Sequence, residues 1–463
     1  MLAELRGLNE ECGVFGVWNH PSAAQMSYYA LHSLQHRGQE GSGIVVTTGD
    51  SLQARKGLGL VTEVFTAKCM EKLQGTGAIG HVRYSVGGTN GYENVQPLLF
   101  RSQTGGIAIA HNGNLTNSLE LRVMLENEGS IFQTDADAEV LAHLIKRGGN
   151  TPLPERIKWA LTQLEGAYAF VLLTETELYV ALDPYGLRPL SLGKLGDAWV
   201  VASETCAFDL IGATYEREVY PGEFLTIDDT GLSSEFFAKK ASRALCAMEY
   251  VYFSRPDSNL RGKNVHTARK KLGKALAQEH PIEADVVTGV PDSSLSAAIG
   301  YAEASGLPYE LGLIKSRYVG RTFIEPSQSL REQGVKLKLS AVQGVVKGKR
   351  VIMVDDSFVR GTTSTRITRM LKEAGATEVH VLIASPPIKY PCYYGMDTLS
   401  ASELVAANYD LKEMREMIGA DSLRFLSVDK LQEVLGSPNS KDDHGLCLAC
   451  FTGNYPIKGD DHV

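Results

Sequence analysis

Val351-Ile352-Met353-Val354-Asp355-Asp356-Ser357-Phe358-Val359-Arg360-Gly361-Thr362-Thr363-Ser364 decides how the second half of this 463-residue chain is read. Its four leading apolar residues predict a buried parallel strand, which breaks at two adjacent carboxylates. The small and hydroxyl residues from Arg360 to Ser364 then lead into a helix predicted over Ile367 to Ala374. Free backbone N–H groups converge at such a helix start, where a phosphate binds. Asp355 and Asp356 would meet sugar hydroxyls and a hydrated Mg²⁺, which takes one or two carboxylates together with substrate oxygens. An ordinary strand-to-helix connection capped by Asp would use the same residue types. Ligands gather at strand C-terminal ends in sheets of this kind, however, and the combination describes a ribose-5-phosphate site.

Composition bounds the rest. A chain of this length with 43% hydrophobic residues has room for two or three domains of about 150 residues each. No apolar run reaches the ~18 residues of a membrane span, and Met1 to Glu11 lacks the apolar core of a secretory signal, so a cytoplasmic protein is expected. A net charge of −8 without a basic run argues against nucleic acid as the main partner. The seven cysteines are too sparse for a disulfide scaffold, which leaves metal or catalytic roles open.

In the first half, an apolar strand begins abruptly at Cys12-Gly13-Val14-Phe15-Gly16-Val17. A thiol nucleophile needs a base, and removal of residues 1–11 would place a free α-amino group beside this thiol; such an amine ordinarily titrates at ~7.7 to 8.0. A small buried core residue is the plainer reading of a lone cysteine. Downstream, Leu31 to Ser33 ends a helix before the glycine-rich Gly38-Gln39-Glu40-Gly41-Ser42-Gly43, and a strand resumes at Ile44. Gly80-His81-Val82-Arg83 places a guanidinium suited to a carboxylate at a strand end. His111-Asn112-Gly113-Asn114 reads as a turn whose amide and backbone N–H could hold an oxyanion. Thr134-Asp135-Ala136-Asp137-Ala138-Glu139 opens a helix to about Lys146, and Ala167 to Leu182 reads as a hairpin around residues 174–177.

The pattern changes near Lys239 to Ser242. An amphipathic helix is predicted from Val265 to Glu279, then a short buried strand from Asp285 to Val290. The strand ends at Pro291-Asp292-Ser293-Ser294, which opens a helix over Leu295 to Ala304 and suits a pyrophosphate. Lys315-Ser316-Arg317-Tyr318-Val319-Gly320-Arg321 is basic, aromatic and glycine-containing, as a lid over an anion would be. Further on, Leu404, Leu411, Met414 and Ile418 predict one packed helical face. The tail carries Cys447-Leu448-Ala449-Cys450; with Cys246 and Cys392 it makes four thiols, for which spacing alone leaves zinc and an iron–sulfur cluster open.

Taken in order, Cys12, Arg83, Asn112-Gly113 and Asp137 resemble the glutaminase domain of the N-terminal-nucleophile amidotransferases, and Val351 to Ser364 resembles the type I phosphoribosyltransferase signature. Val86 and Ala136 depart from the usual Thr and Ser of the first pattern, and Phe358 from the usual Ile of the second. The chain as a whole resembles the iron–sulfur subgroup of the glutamine phosphoribosylpyrophosphate amidotransferases, which carries a cleaved leader. The resemblance implies an αββα glutaminase sandwich over residues 12–242 after an 11-residue leader. It places a parallel-sheet phosphoribosyltransferase domain over 243–436 and a tail of cluster ligands over 437–463. The implied reaction turns glutamine and 5-phosphoribosyl pyrophosphate (PRPP) into phosphoribosylamine, glutamate and pyrophosphate, the entry into purine nucleotide synthesis.

Residue by residue, the same resemblance gives Cys12 as nucleophile and Asn112 and Gly113 as the oxyanion hole. Arg83 would bind the glutamine carboxylate and Asp137 its ammonium group. PRPP would be bound by Pro291, Asp292, Ser293, Ser294, Lys315, Arg317, Tyr318, Arg321, Asp355, Asp356, Ser357, Arg360, Gly361, Thr362, Thr363 and Ser364. One Mg²⁺ would be held by Ser293, Asp355 and Asp356, and a [4Fe-4S] cluster by Cys246, Cys392, Cys447 and Cys450. Purine nucleotides as feedback inhibitors and a homotetramer also follow from the resemblance. A regulator that binds PRPP without turnover would show a basic or DNA-binding module, and a salvage transferase would leave the first half without a task.

Overall fold

The computed structural model describes residues 12–84, 91–103, 105–239, 241–316, 339–396, 398, 400–436 and 445–457. Seven antiparallel strands form one sheet in the order Thr214–Glu218, Ser191–Leu195, Ala198–Ala202, Gly13–Trp18, Gly77–Arg83, Gly41–Thr47 and Leu52–Leu58. Six more form a second sheet in the order Gly231–Phe236, Glu223–Asp228, Leu178–Leu182, Gly166–Leu173, Gly105–Leu115 and Leu98–Ser102. Strand alternation divides the apolar residues of Gly13–Trp18 between two layers. Val14 and Trp18 join Ala110, Val171 and Val180 between the sheets, while Phe15 and Val17 face Leu31 and Phe208 of the helices outside. The helices Ala138–Arg147 and Leu153–Leu161 cover the second sheet through Leu141, Leu144 and Ile157. Four layers, αββα, result. Each fully buried side chain of this size contributes about 1.5–3 kcal/mol, which is why the all-apolar strand takes a central place.

The second half is built on four parallel strands in the order Val286–Gly289, Arg350–Asp355, Glu378–Ile383 and Ser422–Phe425. Ile352 and Val354 face the layer that holds Leu272 and Ala298, and Val351 and Met353 face Ile367 and Leu371. Burial on both faces accounts for the uninterrupted apolar run. The two halves meet along an extended seam, where Ala244 N–H donates to the Tyr185 carbonyl and Cys246 N–H to that of Leu187. Asn114 Nδ2 donates to the Tyr393 carbonyl at 2.8 Å.

Three local expectations change. His111 to Asn114 is part of the continuous strand Gly105–Leu115, paired with Ala167 to Phe170, and not a turn. Gly113 has φ of 141°, and a Cβ there would lie 2.0 Å from the Ala167 carbonyl oxygen, so glycine serves close strand approach. The helix after the acidic pair starts at Thr362, because Gly361 at φ 68° turns the chain directly into it. The helical face proposed from Leu404 to Ile418 splits into Val405–Asn408 and Leu411–Ile418. Asp410 and Glu413 form a capping box that begins a new helix, and Leu411 is left exposed.

Candidate active site

Cys12 lies at the end of the central strand of the first sheet, beside Arg83 at the end of its neighbour. The Tyr84 N–H donates to Cys12 Sγ at 3.4 Å, and the thiol donates to the Tyr84 carbonyl at 3.3 Å. Arg37 Nε donates to the Cys12 carbonyl at 3.1 Å. Asn112 stands on the facing sheet, fully buried, and neither atom of its amide has a hydrogen-bond partner among the described residues. An unpartnered buried amide costs stability unless a ligand uses it. Asp137 accepts from the Leu115 N–H at 2.9 Å and pairs with His111 Nδ1 at 3.2 Å. Burial opposes its charge, but His111 and the backbone N–H groups of Leu115 and Ala138 outweigh this and leave the carboxyl below its usual range. Arg83 is buried and reaches the Gly91 carbonyl at 3.4 Å.

The second constellation lies at the C-terminal ends of Val286–Gly289 and Arg350–Asp355. Ser294 Oγ donates to Asp355 Oδ1 at 3.0 Å and lies 3.2 Å from Asp356 Oδ2. Ser293 also donates to Asp356, and Ser357 Oγ donates to its other oxygen at 2.6 Å. Burial, and then the charge of Asp356 beside it, push Asp355 up to about 8. Burial raises Asp356 as well. Two buried carboxylates held by hydroxyl donors form a donor set suited to a hard divalent cation. Lys315 ion-pairs with Asp292 at 2.8 Å and Arg360 with Glu403, so both basic groups have acidic partners at the rim. Thr362, Thr363 and Ser364 form the first turn of the helix Thr362–Glu373, where N–H groups lack intrahelical acceptors, as an anion-binding helix start requires. Arg317, Tyr318 and Arg321, like Val86 and the leader, lie outside the described residues.

The four tail and seam cysteines also converge. Leu245–Cys246 pairs in parallel with Leu446–Cys447, which sets Cys246 opposite Cys447. The Cys450 carbonyl accepts from Lys389 and Tyr390, which ties it to the loop that carries Cys392. Burial, and then the sulfurs of Cys246, Cys392 and Cys447, push the Cys450 thiol up. Burial likewise pushes Cys447 up to about 12. A cationic group among these sulfurs would reverse that penalty, since coordination deprotonates a thiol. Among the described residues no set of three His, Cys, Asp or Glu side chains closes into a single-ion site. Cys206 is buried, and Cys69 is partly buried.

Sequence reading left Glu204, Glu249, Arg188 and Arg269 without roles, although all four are buried. Glu249 follows the apolar Ala247-Met248 and precedes Tyr250-Val251, and a lone charge in such a run is the signal that marks a buried, paired group.

Arrangement and comparison now agree on a class: a two-domain amidotransferase in which a glutamine amidotransferase domain is joined to a phosphoribosyltransferase sheet. The family described as a glutamine amidotransferase domain matches residues 81–209. Amidophosphoribosyltransferase of Bacillus subtilis is 66% identical over 459 residues, covering 99% of this chain and 96% of the relative. That of Staphylococcus aureus is 52% identical over 97% and 92%. The solved glutamine PRPP amidotransferase of B. subtilis, complexed with ADP and GMP, superposes with a TM-score of 0.92 at 66% identity, over 96% of this chain and 97% of that one. The chain belongs to the amidophosphoribosyltransferase family.

Proposed function

We propose that this chain transfers the amide nitrogen of glutamine to C1 of PRPP, releasing glutamate, pyrophosphate and 5-phosphoribosylamine, which begins purine nucleotide synthesis. The observation that carries this reading is the 66% identity to a B. subtilis amidophosphoribosyltransferase over 99% of this chain. Cys12 Sγ attacks the amide carbon, and the α-amino group freed by removal of residues 1–11 moves the proton. The Asn112 amide and the Gly113 N–H receive the oxyanion; the buried, unpartnered Asn112 amide supports this role. Arg83 holds the substrate carboxylate and Asp137 its ammonium group. The released ammonia passes within the protein, because ammonium formed in water is no nucleophile.

At the second site, residues 291–294 face the pyrophosphate and residues 355–364 the ribose 5-phosphate. Lys315 and the segment with Arg317, Tyr318 and Arg321 cover the ligand. Asp355, Asp356 and Ser293 would hold Mg²⁺, which neutralises charge on the leaving pyrophosphate when bound. Cys246, Cys392, Cys447 and Cys450 would hold a [4Fe-4S] cluster with a structural role, tying the tail to the seam. The burial of Cys450 among the sulfurs of Cys246, Cys392 and Cys447 supports one group shared by the four thiols. Domain limits at residues 242 and 436, a homotetramer and a cytoplasmic location complete the reading. The ADP and GMP in the B. subtilis complex support purine nucleotides as feedback inhibitors. No helix among the described residues is long and apolar enough to cross a membrane.

The test supplies glutamine, PRPP and Mg²⁺ to anaerobically purified protein and measures glutamate, pyrophosphate, iron and labile sulfide. Equal amounts of the two products and about four irons per chain are expected. Failure to release pyrophosphate would overturn the PRPP assignment, and zinc in place of iron would overturn the cluster.

A further inference from the structure

The carbonyl of Cys12 is gripped by a side chain that belongs to a buried charge network spanning the two halves. Arg37 is 1% exposed and lies in the short turn Gln35–Arg37 of the first half. Besides its Nε bond to Cys12, Arg37 donates from Nη2 to Glu249 Oε1 at 2.7 Å and from Nη1 to Glu249 Oε2 at 3.0 Å. Nη1 also reaches Glu204 Oε1 at 2.7 Å. Glu249 comes from the other half, on the single wide turn Glu249–Phe253. A carboxylate that takes two parallel bonds fixes the plane of a guanidinium, and with it the direction of Nε–H.

Glu249 is itself held from its own half. Ser254 Oγ donates to Glu249 Oε2 at 2.6 Å, and from the first half Arg188 lies 3.8 Å from Oε1. The segment behind it is clamped by Arg269 of the helix Val265–Glu279, which donates to the carbonyls of Tyr250, Tyr252 and Ser254 at 2.7 to 2.8 Å. Glu204 of the first half accepts from Ser258 Oγ at 2.6 Å and from the Arg255 N–H at 2.9 Å. Every link from the Cys12 backbone to the Val265–Glu279 helix is therefore a direct hydrogen bond or a short covalent path.

We propose that Glu249 is a positioning residue for the glutaminase nucleophile: by orienting Arg37 across the domain seam, it sets the backbone of Cys12 and makes thiol chemistry depend on the docked second half. This rests on the assignment of Cys12 as nucleophile. No hydrogen bond or ion pair among the described residues joins Glu249 to the thiol or to the acidic pair, and Arg269 alone stands between the two, so its loss bears first on the glutamine reaction. Misplacing a reacting group by about 1 Å can cost on the order of 10²-fold in rate.

The experiment uses the full-length enzyme and compares glutamine-dependent with ammonia-dependent release of pyrophosphate in Glu249→Ala, Glu249→Gln and Arg37→Lys. Glu249→Ala should lower kcat with glutamine about 10²-fold with little change in KM, and leave the ammonia-dependent rate within about twofold. Glu249→Gln keeps an acceptor for Arg37 and should recover part of the loss. Arg37→Lys keeps a buried cation for both carboxylates but removes the Nε–H, and should show the same split even if Glu249→Ala does not fold. Parallel loss of both activities in Glu249→Gln and Arg37→Lys, or an unchanged glutamine rate, overturns the inference. Wild-type enzyme unable to use glutamine would instead overturn the underlying assignment of Cys12.

Discussion

Asp356 finds its hydroxyl partners one residue away at Ser357 and in a single second loop at Ser293 and Ser294, each loop following a parallel strand. Cys12 is hydrogen-bonded to Arg37 and Tyr84, and Asn112 lies on the facing sheet, so the three come from separate parts of an antiparallel sandwich. Parallel strands point their C-terminal ends the same way, so contiguous loops converge without further arrangement. In an antiparallel sandwich neighbouring ends alternate, and a site needs strand ends chosen from both sheets. The acidic-pair cluster is therefore a property of local segments, and the Cys12 cluster a property of packing.

Separability of the two sites is the sharpest consequence. Cys12→Ala should lower glutamine-dependent product formation by at least about 10⁴-fold while ammonia-dependent formation persists. Equal loss from both nitrogen donors would falsify the two-site account. Asn112→Ala should cost about 10² to 10³-fold in kcat with glutamine, as loss of one oxyanion donor does elsewhere. Its melting temperature should change little, because the amide has no partner among the described residues to lose. A large drop in melting temperature would mean that the amide is structural.

Replacing Asp355 and Asp356 by Asn should lower pyrophosphate release with either donor by at least about 10²-fold, through loss of the cation's charge stabilisation. Glutamine hydrolysis measured without PRPP should be unaffected. Retained ammonia-dependent turnover would contradict the local-segment account of this site.

The smallest effect concerns the seam itself. Asp183 is fully buried and accepts from the N–H groups of Tyr185, Leu187 and Tyr168, and burial pushes it up to about 7. Its folded pKa lies above its unfolded value, so the folded state holds a proton that the unfolded chain loses. That contribution to stability is full below about pH 4 and is lost as pH rises to about 7. Asp183→Asn should flatten the melting temperature over this window, and an unchanged slope would place the titration elsewhere.

Glu204 and Glu249 show the opposite balance. Burial opposes their charge too, but His36 and Arg37 at Glu204, and Arg37 at Glu249, outweigh it and hold both carboxyls below the usual range. A buried carboxylate is thus held charged at Glu204 and Glu249 and pushed up at Asp355. The difference is that Arg37 bonds directly to Glu204 and Glu249, whereas Asp355 has a second carboxylate, Asp356, beside it.

Residues 351–364 and 291–294 were legible as a strand, a turn and a helix start, because their chemistry lies within one loop each. The apolar strand at Gly13–Trp18 and the helix Val265–Glu279 were legible too, since periodicity reports burial. The reading of His111 to Asn114 as a turn failed because an Asn-Gly pair has local turn preference, and pairing with Ala167 to Phe170 overrides it. The continuous helix expected around Leu411 failed because a hydrophobic spacing does not reveal a competing cap at Asp410.

By itself, the sequence picked out the candidate residues of both clusters, the order of the two halves and the two thiols of the tail, since these depend on residue type and local spacing. The tertiary structure alone decided that Asn112 lies on the sheet packed against the one that Cys12 leads into, that Cys246 stands opposite Cys447, and that Glu249 of the second half holds Arg37 of the first. Arg37 and Glu249 lie 212 residues apart. At such separations no local preference acts; only the burial of a common core brings the groups together, and once buried each charge must have its partner.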